Sequence, residues 1–200
     1  MKKFLLISVL FLGFITNGQE NYAQVQKVNG IEVYILAKPL RTYEVVMDKN
    51  NSVQWSSFVT GGLINESIAT KVTKFVKGTK EKAEKDGIEF DAIVYTDGKD
   101  IIAVKFTEAP TPENSRMAVV QEIDGMAVYV MNEPVTDYKV VDDKGPGMKW
   151  KSFLTGGLVN NSIEQDMEKY CKRFKDLFDA GEIQAVIYTS GKTASGITLL

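Results

Sequence analysis

The chain has no histidine among its 200 residues. That absence rules out His-based triads, zinc sites built on HExxH and imidazole metal ligands. It has one cysteine, Cys171, so no disulfide can close within the chain, and only a bridge to another molecule is open to it. Charge of one sign is also lacking. The formal net charge is −2, and a general nucleic-acid binder would carry a basic face or stripe. Long apolar runs are missing beyond the first residues. Phe4 to Ile15 is apolar for about a dozen residues, whereas a membrane-spanning helix needs ~20.

That short run has a reading of its own. Met1-Lys2-Lys3 is a basic start, the apolar stretch follows, and Thr16-Asn17-Gly18 puts small residues before Gln19. This is the layout of a secretory signal peptide spanning residues 1–18, with a second possible cut after Ala23. The expectation is an exported protein, periplasmic or secreted, with no transmembrane span after cleavage. No cysteine follows the run to carry a lipid anchor. An apolar share of 44% is enough to build a core, so the remainder reads as folded.

What the sequence does hold, it holds twice. Trp55-Ser-Ser-Phe58-Val-Thr60-Gly61-Gly62-Leu63-Ile-Asn65-Glu-Ser67-Ile68 recurs as Trp150-Lys-Ser-Phe153-Leu-Thr155-Gly156-Gly157-Leu158-Val-Asn160-Asn-Ser162-Ile163. The same step of 95 residues carries Asn29-Gly30 to Asp124-Gly125, Pro39 to Pro134 and Tyr43 to Tyr138. Later the step falls to 93, from Tyr95 to Tyr188. Repetition of this kind predicts two tandem modules, residues 24–106 and 119–200, joined by a Pro-containing linker at 107–118.

Hydrophobic period predicts the elements of each module. Ile31 to Leu36 and Tyr43 to Met47 are β-branched or aromatic runs bounded by turn residues, and read as strands. Trp55 to Thr60 is a candidate third strand ended by Gly61-Gly62. Ile68, Val72, Phe75, Val76, Thr79 and Ala83 trace one helical face, as do Ile163, Met167, Tyr170, Cys171, Phe174 and Phe178. Lysine and glutamate between Lys71 and Lys85 read as the solvated face. Ser162 with Gln165 resembles a capping box, and Gly87 and Gly181 suit the helix ends. Phe90 to Thr96 and Asp100 to Phe106 flank Asp97-Gly98 as a hairpin, with a matching pair at Gln184 to Thr189 and Gly196 to Leu200. The fold class expected is α+β: in each module a β-β-(β)-α-β-β sheet, antiparallel or mixed, with one amphipathic helix on one face.

Lys-Pro or Glu-Pro followed by Tyr-x-Val-Val, a Gly-rich break, a charged helix and Asp-Ala-Ile-Val-Tyr-Thr-Asp-Gly-Lys together resemble small exported α/β modules of the YbjQ-like kind. The likeness is greatest to duplicated exported proteins of Bacteroidetes-type bacteria. This resemblance carries no catalytic residues with it. It implies a binding or assembly role in the cell envelope, with an unidentified protein or small-molecule partner and a homo-oligomer left open.

The candidate site lies in the two Gly-rich stretches. Thr60, Gly61, Gly62 and Asn65, with Thr155, Gly156, Gly157 and Asn160, stand before a helix start, where free backbone N–H groups and the helix dipole suit an anion. Neither stretch has the Lys-Ser/Thr ending of a P-loop, and a plain turn with a helix cap explains the same residues. Trp55 and Trp150 could stack on a ring or sugar, or fill a core. Tyr34, Tyr43, Tyr129 and Tyr138 read as strand core. Cys171 reads as a buried small hydrophobe, and Asp97, Asp100, Asp142 and Asp143 as turn carboxylates without calcium-loop spacing. The sequence calls for no cofactor and no metal. The matched residues are mostly Gly, Pro, Trp, Tyr and aliphatics, and no polar constellation distinguishes one module from the other. The expected function is therefore a non-enzymatic binding or assembly protein of the cell envelope. The alternatives are a small anion or saccharide receptor, using the Gly-Gly loops or the groove between modules, and a hydrolase working with carboxylates alone.

Overall fold

A computed structural model of the protein describes residues 21–48, 68–95, 101–142, 163–188 and 194–200. In chain order the elements are β1 (Tyr22–Val25), β2 (Lys27–Val28), β3 (Ile31–Ile35), β4 (Ala37–Pro39), β5 (Tyr43–Met47), α1 (Ile68–Asp86), β6 (Ala92–Tyr95) and β7 (Ile101–Phe106). The series continues with β8 (Met117–Val120), β9 (Glu122–Ile123), β10 (Met126–Val130), β11 (Asn132–Pro134), β12 (Tyr138–Asp142), α2 (Ile163–Asp179), β13 (Ala185–Tyr188) and β14 (Ser195–Leu199). The fold is α+β, with two helices and mixed sheet.

The large sheet runs β5-β7-β6-β3-β10-β13-β14-β12, with β2 and β9 as short additions on β3 and β10. β3 and β6 are parallel, as are β10 and β13, and each pair encloses a helix in sequence. A parallel pair needs such a crossover, since a tight turn cannot join it. The other pairings are antiparallel, including the contact of β3 with β10 at Ile35 and Val130. A second sheet, β4-β8-β1-β11, lies on the far side.

Alternation along the strands sorts the side chains into two cores. Val33, Ile35, Ile93, Val128 and Val130 face the helices and pack with Val72, Phe75, Val76, Met167, Tyr170 and Cys171. Tyr34, Val94, Ala92, Ala127, Tyr129 and Ala185 face the small sheet and pack with Ala23, Val25, Ala37, Ala118 and Val120. Both faces of β3, β6, β10 and β13 are thus covered, and every residue of those strands is buried. Strands covered on two sides read as unbroken apolar runs.

Small residues between the sheets let them approach closely. β1 lies between β8 and β11, and β8 between β1 and β4, so the early and late parts of the chain complete one another's small sheet. The four short strands of this layer were not expected, and β8 begins at Met117, inside the span read as a linker.

Local geometry explains where strands turn and change layer. Asn29-Gly30 and Asp124-Gly125 have φ of 52° and 84°, and of 52° and 81°. Positive φ at both central residues matches the twist of a two-residue hairpin. Leu36 and Met131, both buried, also sit at positive φ, 48° and 54°. Bulky side chains adopt that region only under tertiary constraint. Here the constraint is visible, because Leu36 N–H donates to Tyr95 O at 2.9 Å and Met131 N–H to Tyr188 O at 2.7 Å. At these residues the chain leaves the large sheet and enters the small one.

The helical stripes lie as the period requires, and Gly87 and Gly181 end the helices at φ of 68° and 74°. One lysine departs from expectation. Lys71 is buried, because it stands three residues after Ile68 and so falls on the inward face.

Candidate functional site

Glu32 and Tyr34 are two apart on β3 and point to the same side of the large sheet. Both are buried, and so is Arg41, which follows β4. Arg41 Nη2 donates to Glu32 Oε2 at 2.5 Å, and the Tyr34 hydroxyl donates to the same oxygen at 2.7 Å. Lys27, opposite Glu32 in the β2–β3 register, brings its Nζ to 3.8 Å from Oε1. The Arg41 guanidinium carbon lies 3.4 Å from the ring centroid of Phe106, the last residue of β7. Tyr34 meets the same ring edge-on, with centroids 6.3 Å apart. Stacking on an aromatic face and bonding to a carboxylate are what a guanidinium does better than an ammonium.

Neighbouring segments hold this cluster in place. Leu40 N–H donates to Met117 O at 3.1 Å, and Thr107 N–H to Thr42 O at 3.0 Å. Thr42 N–H donates to Glu108 Oε1 at 2.9 Å, and Phe106 N–H to Asp91 Oδ2 at 2.8 Å. Arg41 is therefore fixed between the small sheet and the segment after β7. A cavity of about 330 Å³ opens here, lined by Lys27, Glu32, Arg41, Asp91, Phe106, Glu108 and Ser115 among others. Arg41 forms part of its wall, and Arg41 Nε is buried with no hydrogen-bond acceptor among the described residues. Burial, with the adjacent Glu32 carboxylate, pushes the Tyr34 hydroxyl well above its usual range.

This cluster corrects the expectation that neither module carries a polar constellation of its own. At the matched steps of 95 the late residues are Ala127 for Glu32 and Thr136 for Arg41, and only Tyr129 repeats Tyr34. Among the described residues no acidic neighbour acts on Tyr129, and burial pushes its hydroxyl up to about 12.

Of the residues singled out from sequence, Tyr34 is the one that belongs to this cluster among the described residues. Trp55, Thr60, Gly61, Gly62 and Asn65, with Trp150, Thr155, Gly156, Gly157 and Asn160, lie outside the described residues, as do the stretch read as a signal, the candidate strand at 55–60, Asp97, Asp100 and Asp143. The helices that follow the Gly-rich stretches are described from their first turn. Ile163 N–H donates to the Tyr95 hydroxyl at 3.1 Å. Ile68 N–H donates to the Tyr188 hydroxyl, whose titration burial pushes up to about 12. Each helix start is thus met by a tyrosine from the other half of the large sheet. Cys171 is fully buried, and burial, reinforced by Asp124 and Glu168, pushes its thiol up to about 12. That is the reverse of nucleophile activation.

Among the described residues no cluster of three or more His, Cys, Asp or Glu is placed to hold a metal ion. Among the same residues no helix is long and apolar enough to cross a membrane. No known family model matches the chain, no curated protein matches it, and no solved structure matches it.

Proposed function

We propose that the chain is an exported binding protein of the cell envelope, without a catalytic role, whose binding site is the Arg41 cavity. The observation that carries this reading is a buried guanidinium in the wall of a cavity of ligand size, with one donor that has no acceptor among the described residues. Ligand pockets start at roughly 300 Å³ and place a few polar groups against an apolar wall. Glu32, Arg41 and Lys27 are such groups, and Phe106 is the wall.

The same proposal includes descent from one unit copied in tandem. Its support is the palindromic strand order of the large sheet, the paired positive-φ residues and the reciprocal tyrosine contacts at the helix starts. After copying, the first unit carries the charged cluster and the second an apolar counterpart. Kinship with YbjQ-like modules and a periplasmic or secreted location belong to this proposal as well. An assembly role has one favouring feature. The outermost strands of the large sheet, β5 and β12, carry half-exposed Val45 and Val140.

A thermal-shift screen of small polar compounds and ions on the wild type and on Arg41→Met tests the binding reading. A ligand that binds only the folded state raises the Tm. Hits that disappear in Arg41→Met support the cavity as the site. Hits indifferent to the substitution, or no hits at all, reject it. The Gly-Gly stretches remain the second proposed site, for phosphate or carboxylate, because each precedes a helix start; α1 has no acidic residue in its first turn and suits an anion better than α2, whose first turn holds Glu164 and Asp166. Phosphate titration followed by amide shifts at Gly61, Gly62, Gly156 and Gly157 decides it.

A further inference from the structure

We infer that the Arg41 cavity selects small primary amines that also carry an acceptor oxygen, such as an amino sugar or an amino-terminal residue with its carbonyl. This rests on the reading that the cavity binds a ligand.

Charge argues for the amine. Two cations, Lys27 and Arg41, face three carboxylates, Glu32, Asp91 and Glu108. Glu32 is committed to both cations, at 2.5 Å from Arg41 Nη2 and 3.8 Å from Lys27 Nζ. Asp91 and Glu108 each accept one backbone N–H and form no ion pair among the described residues. Lys105 feels the charge of Asp91 but is bonded to Glu89 at 2.8 Å. Among the described residues the lining thus carries one excess negative charge, which repels an anion and is balanced by one ammonium group. An ammonium offers three donors and no acceptor, which suits carboxylate oxygens.

The orphaned donor argues for the oxygen. Arg41 is 94% buried, since its exposure is 6%. Its Nη2 is taken by Glu32, one face of the guanidinium is stacked on Phe106, and its Nε has no acceptor among the described residues. A buried N–H left unpaired is costly, and a ligand hydroxyl or carbonyl oxygen that parts the atoms covering Nε and reaches it removes that cost. A volume of about 330 Å³ limits the ligand to something near one sugar ring or one residue.

Glucosamine, glucose and glucuronate share a ring and differ in charge, so they isolate the electrostatic term. Glycinamide supplies an ammonium and a carbonyl on a different frame. Binding is followed on the full chain by thermal shift and by amide resonances of Gly30 and Phe106. The probes are used at about 10 mM, ten times a millimolar Kd. Glucosamine and glycinamide are expected to raise the Tm and move both resonances. Glucose should bind at least about tenfold more weakly, and glucuronate and inorganic phosphate not at all. Arg41→Met should weaken both amines by about tenfold or more. The pair Asp91→Asn with Glu108→Gln keeps both backbone N–H acceptors, and should bring glucosamine down to the level of glucose. That pair carries the test if Arg41→Met fails to fold. Binding of glucuronate or phosphate as tight as that of glucosamine, lost in Arg41→Met, overturns the amine preference and leaves the cavity as a binding site. Silence from both amines also overturns the inference. If no compound in the wider screen then depends on Arg41, the binding reading falls with it.

Discussion

Glu32 and Arg41 have nearly lost contact with water, at 6% exposure each, so each depends on the other. Breaking a buried pair by removing one partner leaves an uncompensated charge and costs about 3–5 kcal/mol. Replacing both by neutral groups of similar volume often costs little, and the residues at the matching step of 95, Ala127 and Thr136, are both neutral. Glu32→Ala and Arg41→Thr should therefore each lower stability by about 3–5 kcal/mol, while the double variant loses less than the sum of the two. Urea unfolding of the four proteins measures this, and strictly additive losses would show that the two side chains are not coupled. Neither residue was legible from local pattern. Glu32 sits between Ile31 and Val33, where a polar residue in an alternating strand reads as solvent-facing. It is buried because Arg41, Tyr34 and the segment after β7 close over it. A signal did exist in the sequence repeat, where the step of 95 residues sets Ala127 against Glu32 and Thr136 against Arg41.

At the scale of elements, the helices were readable because amphipathic period survives tertiary packing. Every residue assigned to the first stripe is buried, and Phe178 alone of the second is only partly covered. The small sheet was not readable. Its strands are three or four residues long, β4 and β11 contain Pro39 and Pro134, and their pairing crosses from one end of the chain to the other. Proline is tolerated at such sheet edges but weakens the local signature. The helix starts show the same long-range dependence. Tyr95 accepts from Ile163 N–H and Tyr188 from Ile68 N–H, each satisfying a donor that a helix leaves unpaired in its first turn. Tyr95→Phe and Tyr188→Phe keep the ring and remove the acceptor. Each should cost about 1 kcal/mol. Hydrogen exchange should quicken at the start of α2 in the first variant and of α1 in the second. Faster exchange at the same-half helix would contradict the crossed arrangement.

At the scale of the whole molecule, burial of protonated groups sets the alkaline limit. The Cys171 thiol is pushed from 9.0 up to about 12, and the Tyr129 and Tyr188 hydroxyls from 10.0 up to about 12. Tyr34 and Tyr170 shift further in the same direction. Where the folded pKa is the higher one, the unfolded chain loses its proton first. Stability is then intact below the unfolded pKa and falls as pH rises toward the folded one. The urea midpoint should accordingly decline from about pH 9 to about pH 12, and Cys171→Ala should remove the earliest part of that decline. The crossing of strands makes a second demand on the whole chain. β1 is held between β8 and β11, β4 pairs with β8, and one helix-side core contains residues from both ends of the sequence. The exposed run Ala109 to Glu113 belongs to none of these pairings. A protease site placed there should be cut without loss of structure, and the two pieces should co-elute as one particle until denaturant is added. Either piece alone would expose the unpaired small-sheet strands and the apolar face they cover, so it should aggregate or remain unfolded. Two stable, separable pieces under native conditions would mean that the shared sheet does not hold the molecule together, and that each half buries its own core.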